Sequence, residues 1–301
     1  MQSIPTFPTL AEFLSAPLES IRPLAPATMT FAAGGTRREA ALAGISPDND
    51  EFVRHAHRLM FDGFEVIFTH GVHHLLAPVL LPEQWQETTP GYRQSLVAWI
   101  EWGASGKESL ACYDRLGWRA RLLGAESIPE LEDATQRLKK ETNPDPRAPT
   151  LWFTVAPTET CFWEHFLKAV PQSGANSQQE AIRALYGEDI PPVELFLGYG
   201  KPFVSPPVLP PLLIGHMQCY WKQQPGYRLS SDDFRTILYD YAFTRKTWRQ
   251  DKTGRAETAR AHADVWQKAP TLGLGVRLGP FWYPAPVTPV PEVWAEERGS
   301  A

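Results

Sequence analysis

The sequence predicts an α/β fold, a mostly parallel central sheet flanked by helices on both faces. Strand-like apolar runs alternate with helical stretches of more than ten residues along most of the chain, the pattern of βαβ units. One of these runs, Thr150-Leu-Trp-Phe-Thr-Val155, is a strong strand signal. The length of 301 residues lets roughly 75% of the unfolded chain's surface be buried, so no disulfide or metal staple is required. A single domain over 1–301 is expected.

The elements follow in order. Thr9-Leu-Ala-Glu12 is a capping box and opens an N-terminal helix over 9–20. Residues 28–33 read as a first buried strand that runs into Gly34-Gly35-Thr36-Arg37-Arg38. From Glu51 to His70, Phe52, Ala56, Leu59, Met60 and Ile67 recur at helical spacing, and Gly71 stops that helix. Residues 74–81 read as a second strand, partly demoted by Pro78. One long helix is expected from about Gly91 to Tyr113, then an alternating strand over 118–123 closed by Gly124. A helix around 129–140 precedes the turn Asn143-Pro-Asp-Pro146. After the strand at 150–155 come a helix from Ser177 to Tyr186, a strand over 193–197, a proline loop over 202–211 and a short last strand from His216 to Trp221. Ser230-x-x-Asp233 opens a helix to about Trp248, and a further helical stretch covers 255–268. The proline-rich tail over 284–301 reads as irregular.

Composition narrows the function. Lys and Arg total 29 against 34 Asp and Glu, a net charge of −5. A nucleic-acid binder would carry a basic footprint, so that class is set aside. Cys112, Cys161 and Cys219 are far apart and odd in number, which fits a reducing compartment rather than a disulfide framework. No run approaches the roughly 18 apolar residues of a membrane span. The first residues lack a charged n-region and an apolar core, so they read as no signal peptide, and the cytoplasm is the expected address.

Chemistry concentrates at 34–38. In a parallel sheet, ligands bind at the carboxyl ends of strands, and this segment follows the first one. Two glycines let the backbone approach a ligand closely. Amides at the following helix start point at an anion, Thr36 adds a hydroxyl, and Arg37 and Arg38 add guanidinium forks that match phosphate oxygens. Neither the Walker A spacing nor GxGxxG is present. The alternative is a glycine turn with two solvated arginines.

Phe31-Ala-Ala-Gly-Gly-Thr-Arg-Arg38 resembles the Asp-Gly-Thr-Arg-Arg loop of the tuberculosinol synthase/tuberculosinyl adenosine transferase family. Further blocks resemble that family in the same order: Glu12-Phe-Leu-Ser-Ala-Pro-Leu18, His70-Gly71 with Pro78, Leu185-Tyr-Gly-Glu188, Leu195-Phe-Leu-Gly-Tyr-Gly200 and Arg235-Thr-Ile-Leu-Tyr-Asp240. The resemblance implies the cis-prenyltransferase (undecaprenyl diphosphate synthase-like) fold, a homodimer, and an enzyme acting on a prenyl diphosphate. Gly34, Gly35, Thr36, Arg37 and Arg38 then become the diphosphate cradle, with Arg37 and Arg38 stabilising departing pyrophosphate. Phe52 matches one family tyrosine. Tyr92 matches another and is the candidate to orient water or accept a proton. The family's loop begins with an aspartate that helps hold Mg²⁺ on the allylic diphosphate. Here that position is Gly34, with Glu39 and Asp48 nearby in sequence. The second diphosphate site needed for chain elongation is also missing its two arginines, with Lys201 alone in Gly200-Lys-Pro-Phe.

An isoprenoid needs an apolar tunnel beside its phosphates. Val53, Phe61, Phe64 and Phe68 form a second apolar face on the helix at 51–70, and Leu96, Trp99, Ile100, Trp102 and Leu110 lie on the next. Phe52, Phe64, Phe68, Trp99 and Trp102 are the candidate tunnel residues, where aromatic faces would also stabilise a carbocation. The plain alternative is that they are core. His55, His57, His70, His73 and His74 show no zinc spacing, so no metal-ligating residues are assigned, and Mg²⁺ is kept as the cofactor the resemblance implies, with the family's aspartate replaced by Gly34. No GxSxG elbow exists. Arg119 and Arg121, like Arg245, Lys246 and Arg249, read as surface or helix-end charge. The expected activity is that of a terpene synthase ionising a prenyl diphosphate of the diterpenyl class, with water capture or deprotonation of the cation. The alternatives are prenyl transfer to a nucleoside or other small nucleophile, and a non-catalytic isoprenoid-binding paralogue.

Overall fold

The computed structural model describes residues 7–46, 50–247, 250–269 and 271–285. Asp48, Trp248, Arg249 and residues 286–301 of the tail lie outside the described residues. The capping box forms: the Thr9 hydroxyl accepts from the Glu12 amide and the Glu12 carboxylate accepts from the Thr9 amide. The helix expected over 9–20 is nevertheless two pieces, α1 (Leu10–Ser15) and α2 (Leu18–Ile21). Ala16, ahead of Pro17, is pushed to extended backbone.

Six strands make one all-parallel sheet in the order β3-β4-β2-β1-β5-β6. They are β1 (Thr28–Ala32), β2 (His74–Leu80), β3 (Arg119–Leu123), β4 (Thr150–Val155), β5 (Val193–Tyr199) and β6 (Ile214–Lys222). Side chains alternate between the faces. Leu75, Ala77, Leu151 and Phe153 enter one core, and Leu76 and Trp152 enter the other. Helices therefore cover both faces, as a parallel sheet requires. Pro78 sits inside β2 without cost to the ladder: pairing to β1 ends at Leu76, and pairing to β4 shifts register between Pro78 and Leu80. The missing N–H thus falls at an irregularity.

After β1 come α3 (Thr36–Leu42) and the long α4 (Asp50–Thr69); α5 (Pro82–Trp85) follows β2. The single helix expected over 91–113 is two, α6 (Tyr92–Ser105) and α7 (Lys107–Leu116). They part at Gly106, whose backbone is extended and packs so close to the Trp102 carbonyl that a Cβ there would lie 2.3 Å from its oxygen. α8 (Glu132–Glu141) covers β3, and α9 (Cys161–Ser173), α10 (Gln178–Tyr186) and α11 (Ser231–Tyr239) follow. α9 was not legible, because Pro171 falls in its last turn. α11 ends in a π turn over Asp240–Thr244, closed by the Arg245 amide on the Asp240 carbonyl at 2.9 Å. It therefore stops short of the expected Trp248. α12 (Arg255–Ala261) and α13 (Ala263–Gln267) lead to a hairpin, β7 (Gly275–Leu278) and β8 (Phe281–Pro284). Regular structure thus reaches Pro284, where an irregular tail was expected to start.

Arg119 and Arg121 are not surface charge. Arg119 is buried, and its guanidinium donates to Glu188 at 2.6 Å, with Arg121 on the same oxygen at 3.3 Å. Burial pushes the Glu188 carboxyl upward, but the two arginines outweigh it and hold the group below its ordinary range.

Candidate active site

β1 lies in the middle of the sheet, where the chain turns to β2 on one side and β5 on the other. That switch point puts a crevice at its carboxyl end. The Gly34 carbonyl accepts from the Gly226 amide at 2.7 Å, which fixes the loop exit. Gly35 caps α3 at φ +72°, and a Cβ there would lie 2.6 Å from the Arg38 guanidinium. Only glycine suits both demands. The first bond of α3 runs from the Glu39 amide to the Gly35 carbonyl, so the amides of Thr36, Arg37 and Arg38 have no acceptor within the helix.

Arg37 and Arg38 diverge from this point. Arg37 reaches over the crevice, 3.4 Å from Glu87 and 5.3 Å above the Tyr92 ring. Arg38 folds back over Gly35 and stands 5.0 Å above the Phe281 ring, with no carboxylate partner among the described residues. Behind the loop, the buried Glu39 accepts from Arg228 at 2.8 Å and pairs with His55 at 2.6 Å.

Two adjoining cavities open at the loop. The polar one, about 380 Å³, is bounded by Gly35, Thr36 and Arg37 from the loop, by Glu83, Gln84 and Glu87 after β2, and by Tyr92. The apolar one, about 140 Å³, runs between α4 and α6. Phe52, Val53, Ala56, His57 and Met60 face it from α4, and Trp99 and Trp102 from α6. Val79 and Phe153 come from the sheet, and Tyr227 closes the top. Thr36, Phe52, Leu96 and Trp99 border both cavities, so the two lie side by side at these residues.

The structure thus gathers Gly35, Thr36, Arg37, Tyr92, Phe52, Trp99 and Trp102 around one space. Phe64 and Phe68 do not line it. Phe64 is fully buried against Phe31, Phe61 and Phe153, and Phe68 packs 4.7 Å from Trp118. Phe64 faces the sheet at Phe31 and Phe153 and Phe68 faces Trp118 ahead of β3, so both are core. His70 and His74 are also framework. His70 donates Nδ1–H to the Val66 carbonyl at 2.7 Å, and His74 Nδ1 accepts from the Trp152 indole at 3.2 Å.

Burial raises the Tyr92 pKa; Arg37 opposes the shift and Glu87 adds to it. The phenol therefore keeps its proton at neutral pH and acts as a donor. Burial pushes the Tyr227 phenol up to about 12 and pushes the His57 imidazole down, the latter against the Gly103 carbonyl and Glu108. Sequence reasoning missed Glu83, Gln84, Glu87 and Tyr227, which no local pattern marks. His57 was legible in principle: Val53, His57 and Phe61 are one i, i+4 row of the apolar face named above.

The residues present do not fit a metal ion in the place the family resemblance implies. Gly34 brings no carboxylate, and a Cβ built there would lie 3.0 Å from the Tyr199 carbonyl oxygen. Glu39 is engaged by His55 and Arg228, Glu87 accepts from Thr89 and lies 3.4 Å from Arg37, and Glu83 is a single carboxylate on the far wall of the polar cavity. Among the described residues, no three His, Cys, Asp or Glu side chains converge to hold an ion.

No protein-family model matches the sequence. Among characterised proteins, the chain is 50% identical over 277 residues to the (+)-kolavelool synthase of Herpetosiphon aurantiacus, covering 92% of this chain and 96% of that one. It is 24% identical over 259 residues to the tuberculosinyl adenosine transferase of Mycobacterium tuberculosis, covering 78% and 82%. In structure, a probable undecaprenyl diphosphate synthase from Campylobacter jejuni superposes with a TM-score of 0.53 at 10% identity, over 73% of this chain and 97% of that one. The lavandulyl diphosphate synthase of Lavandula x intermedia gives 0.52 at 10% identity over the same shares. The fold is that of the cis-prenyltransferases. No helix among the described residues is long and apolar enough to cross a membrane.

Proposed function

The chain belongs to the family of the (+)-kolavelool synthase, and from that premise we propose that it hydrolyses a diterpenyl diphosphate to a diterpene alcohol and pyrophosphate. One observation carries this reading: a cationic, amide-lined loop adjoins an aromatic cavity across Thr36, Phe52, Leu96 and Trp99. The diphosphate would sit on the Gly35–Arg38 amides, the Thr36 hydroxyl and Arg37, with Arg38 adding charge from behind Gly35. As the carbon–oxygen bond breaks, its electron pair leaves on the pyrophosphate, and preorganised donors stabilise that charge. The allylic cation left behind faces Phe52, Trp99 and Trp102, whose ring faces attract it. Tyr92, a neutral phenol beneath Arg37, donates to the leaving phosphate or to water in the polar cavity. An alcohol product agrees with the ending of the relative's product name, kolavelool.

No step is assigned to Mg²⁺, because the loop offers no free carboxylate at Gly34. The chain is taken to work as a cytoplasmic homodimer, and sedimentation as a monomer at micromolar concentration would overturn the dimer. The test of the activity is pyrophosphate release from geranylgeranyl diphosphate and bicyclic diterpenyl diphosphates, with Mg²⁺ and with EDTA, and mass spectrometry of the extracted organics. Alcohol with pyrophosphate in both arms is the expected result. Release in the Mg²⁺ arm alone would refute the metal-free reading, and no release from any substrate would refute the function. An adduct formed only when a nucleoside is added would point instead to prenyl transfer.

A further inference from the structure

We propose that His57 is the general base of this site, its Nδ1 taking the proton of the water that captures the allylic cation. This rests on the function proposed above. Tyr92 keeps its proton at neutral pH and lies in the polar cavity, so it is not the group that takes the water's proton. Among the described residues lining the apolar cavity, His57 carries the only basic nitrogen. Thr36 and His57 border the same cavity of about 140 Å³. A hydrocarbon whose phosphates rest on Thr36 enters the cavity that His57 also lines.

The tautomer follows from the neighbours. The Ser109 hydroxyl donates to the Gly103 carbonyl at 2.7 Å, which uses its one proton. His57 Nε2 lies 2.9 Å from the Ser109 oxygen and 3.2 Å from the Gly103 carbonyl. Both can only accept there, so Nε2 carries the hydrogen and Nδ1 keeps a lone pair. Nδ1 makes no hydrogen bond to a described residue. Burial keeps the resting ring neutral, as a base must be. The ring is clamped by Phe61 at 4.4 Å and Trp102 at 4.7 Å. Once protonated, it is stabilised by the charge of Glu108. The step balances: the substrate's carbon–oxygen bond breaks and the pair departs on pyrophosphate. Water's oxygen forms the new bond to carbon, and its surplus proton moves to Nδ1, leaving a neutral alcohol and an imidazolium that returns the proton to solvent.

His57→Gln keeps a donor toward Ser109 and Gly103 but has no basic nitrogen. In the full chain with a diterpenyl diphosphate that the wild type converts, kcat for the alcohol should fall by roughly a hundredfold or more. KM should change little, and the organic product should shift from alcohol toward olefin. Wild-type kcat and an unchanged alcohol-to-olefin ratio in this variant would overturn the assignment. Nitrogen-15 spectra of the wild-type imidazole decide the matter if the variant does not fold: a hydrogen on Nε2 supports the proposal, and a hydrogen on Nδ1 overturns it. A wild type inactive on every diterpenyl diphosphate would instead refute the function on which this proposal rests.

Discussion

Arg37 and Arg38 are adjacent in sequence, and the start of α3 sends them to opposite sides of Gly35. Arg37 reaches the polar cavity, whereas Arg38 packs over the glycine and Phe281. Arg37→Ala should therefore lower kcat for pyrophosphate release by about a hundredfold, close to 3 kcal/mol of barrier. Arg38→Ala should cost less, since its guanidinium does not border the cavity. Equal losses in steady-state kinetics would contradict this division. The pair was legible as a cradle because glycine, hydroxyl and guanidinium occur together in five residues. Its asymmetry was not, because successive helical side chains point about 100° apart and only the neighbours decide which one meets the ligand.

At the scale of elements, α4 illustrates how a helix face splits. Its apolar residues all read alike in sequence, yet Phe52 and Met60 border the cavity while Phe64 and Phe68 fill the core. Periodicity finds the face but not the partner. The β3–α10 junction is a second case, where Arg119 and Arg121 looked like solvated charge. Glu188, one residue past the end of α10 at Gly187, brings a carboxylate onto both. Removing it strands a buried guanidinium. Glu188→Ala should destabilise the protein by about 3 kcal/mol, the lower end of the usual range for buried pairs because Glu188 is partly exposed. Denaturant melts would show it, and an unchanged midpoint would mean the pair is not holding the edge strand. This join was hidden because its members are 67 and 69 residues apart.

For the whole molecule, burial makes acid a destabilising condition. Desolvation lowers the pKa values of His57, His70 and His74, the last to about 4. The unfolded chain titrates these groups near 6.5. Below that pH the unfolded state binds more protons than the folded state, so stability falls as pH drops from about 6.5 toward 4. His74 alone accounts for roughly 3 kcal/mol over that window, and the other two act in the same direction. Urea titrations at pH 7 and pH 4.5 should show the loss, and His74→Gln should flatten it. Equal stability at both values in the wild type would count against burial of the neutral rings.

The sheet class, the succession of strands along the chain and a cationic glycine loop after the first strand are legible in the amino-acid order. These depend on local periodicity and on residue chemistry within a few positions. Tertiary packing alone selects the aromatic residues that border the cavity, engages Glu39 with His55 and Arg228, and sets His57 Nε2 against Ser109 and Gly103. Each of these turns on contacts between residues far apart in the chain, and burial sets their chemistry: an imidazole, a phenol or a carboxylate takes its charge state from what surrounds it in space.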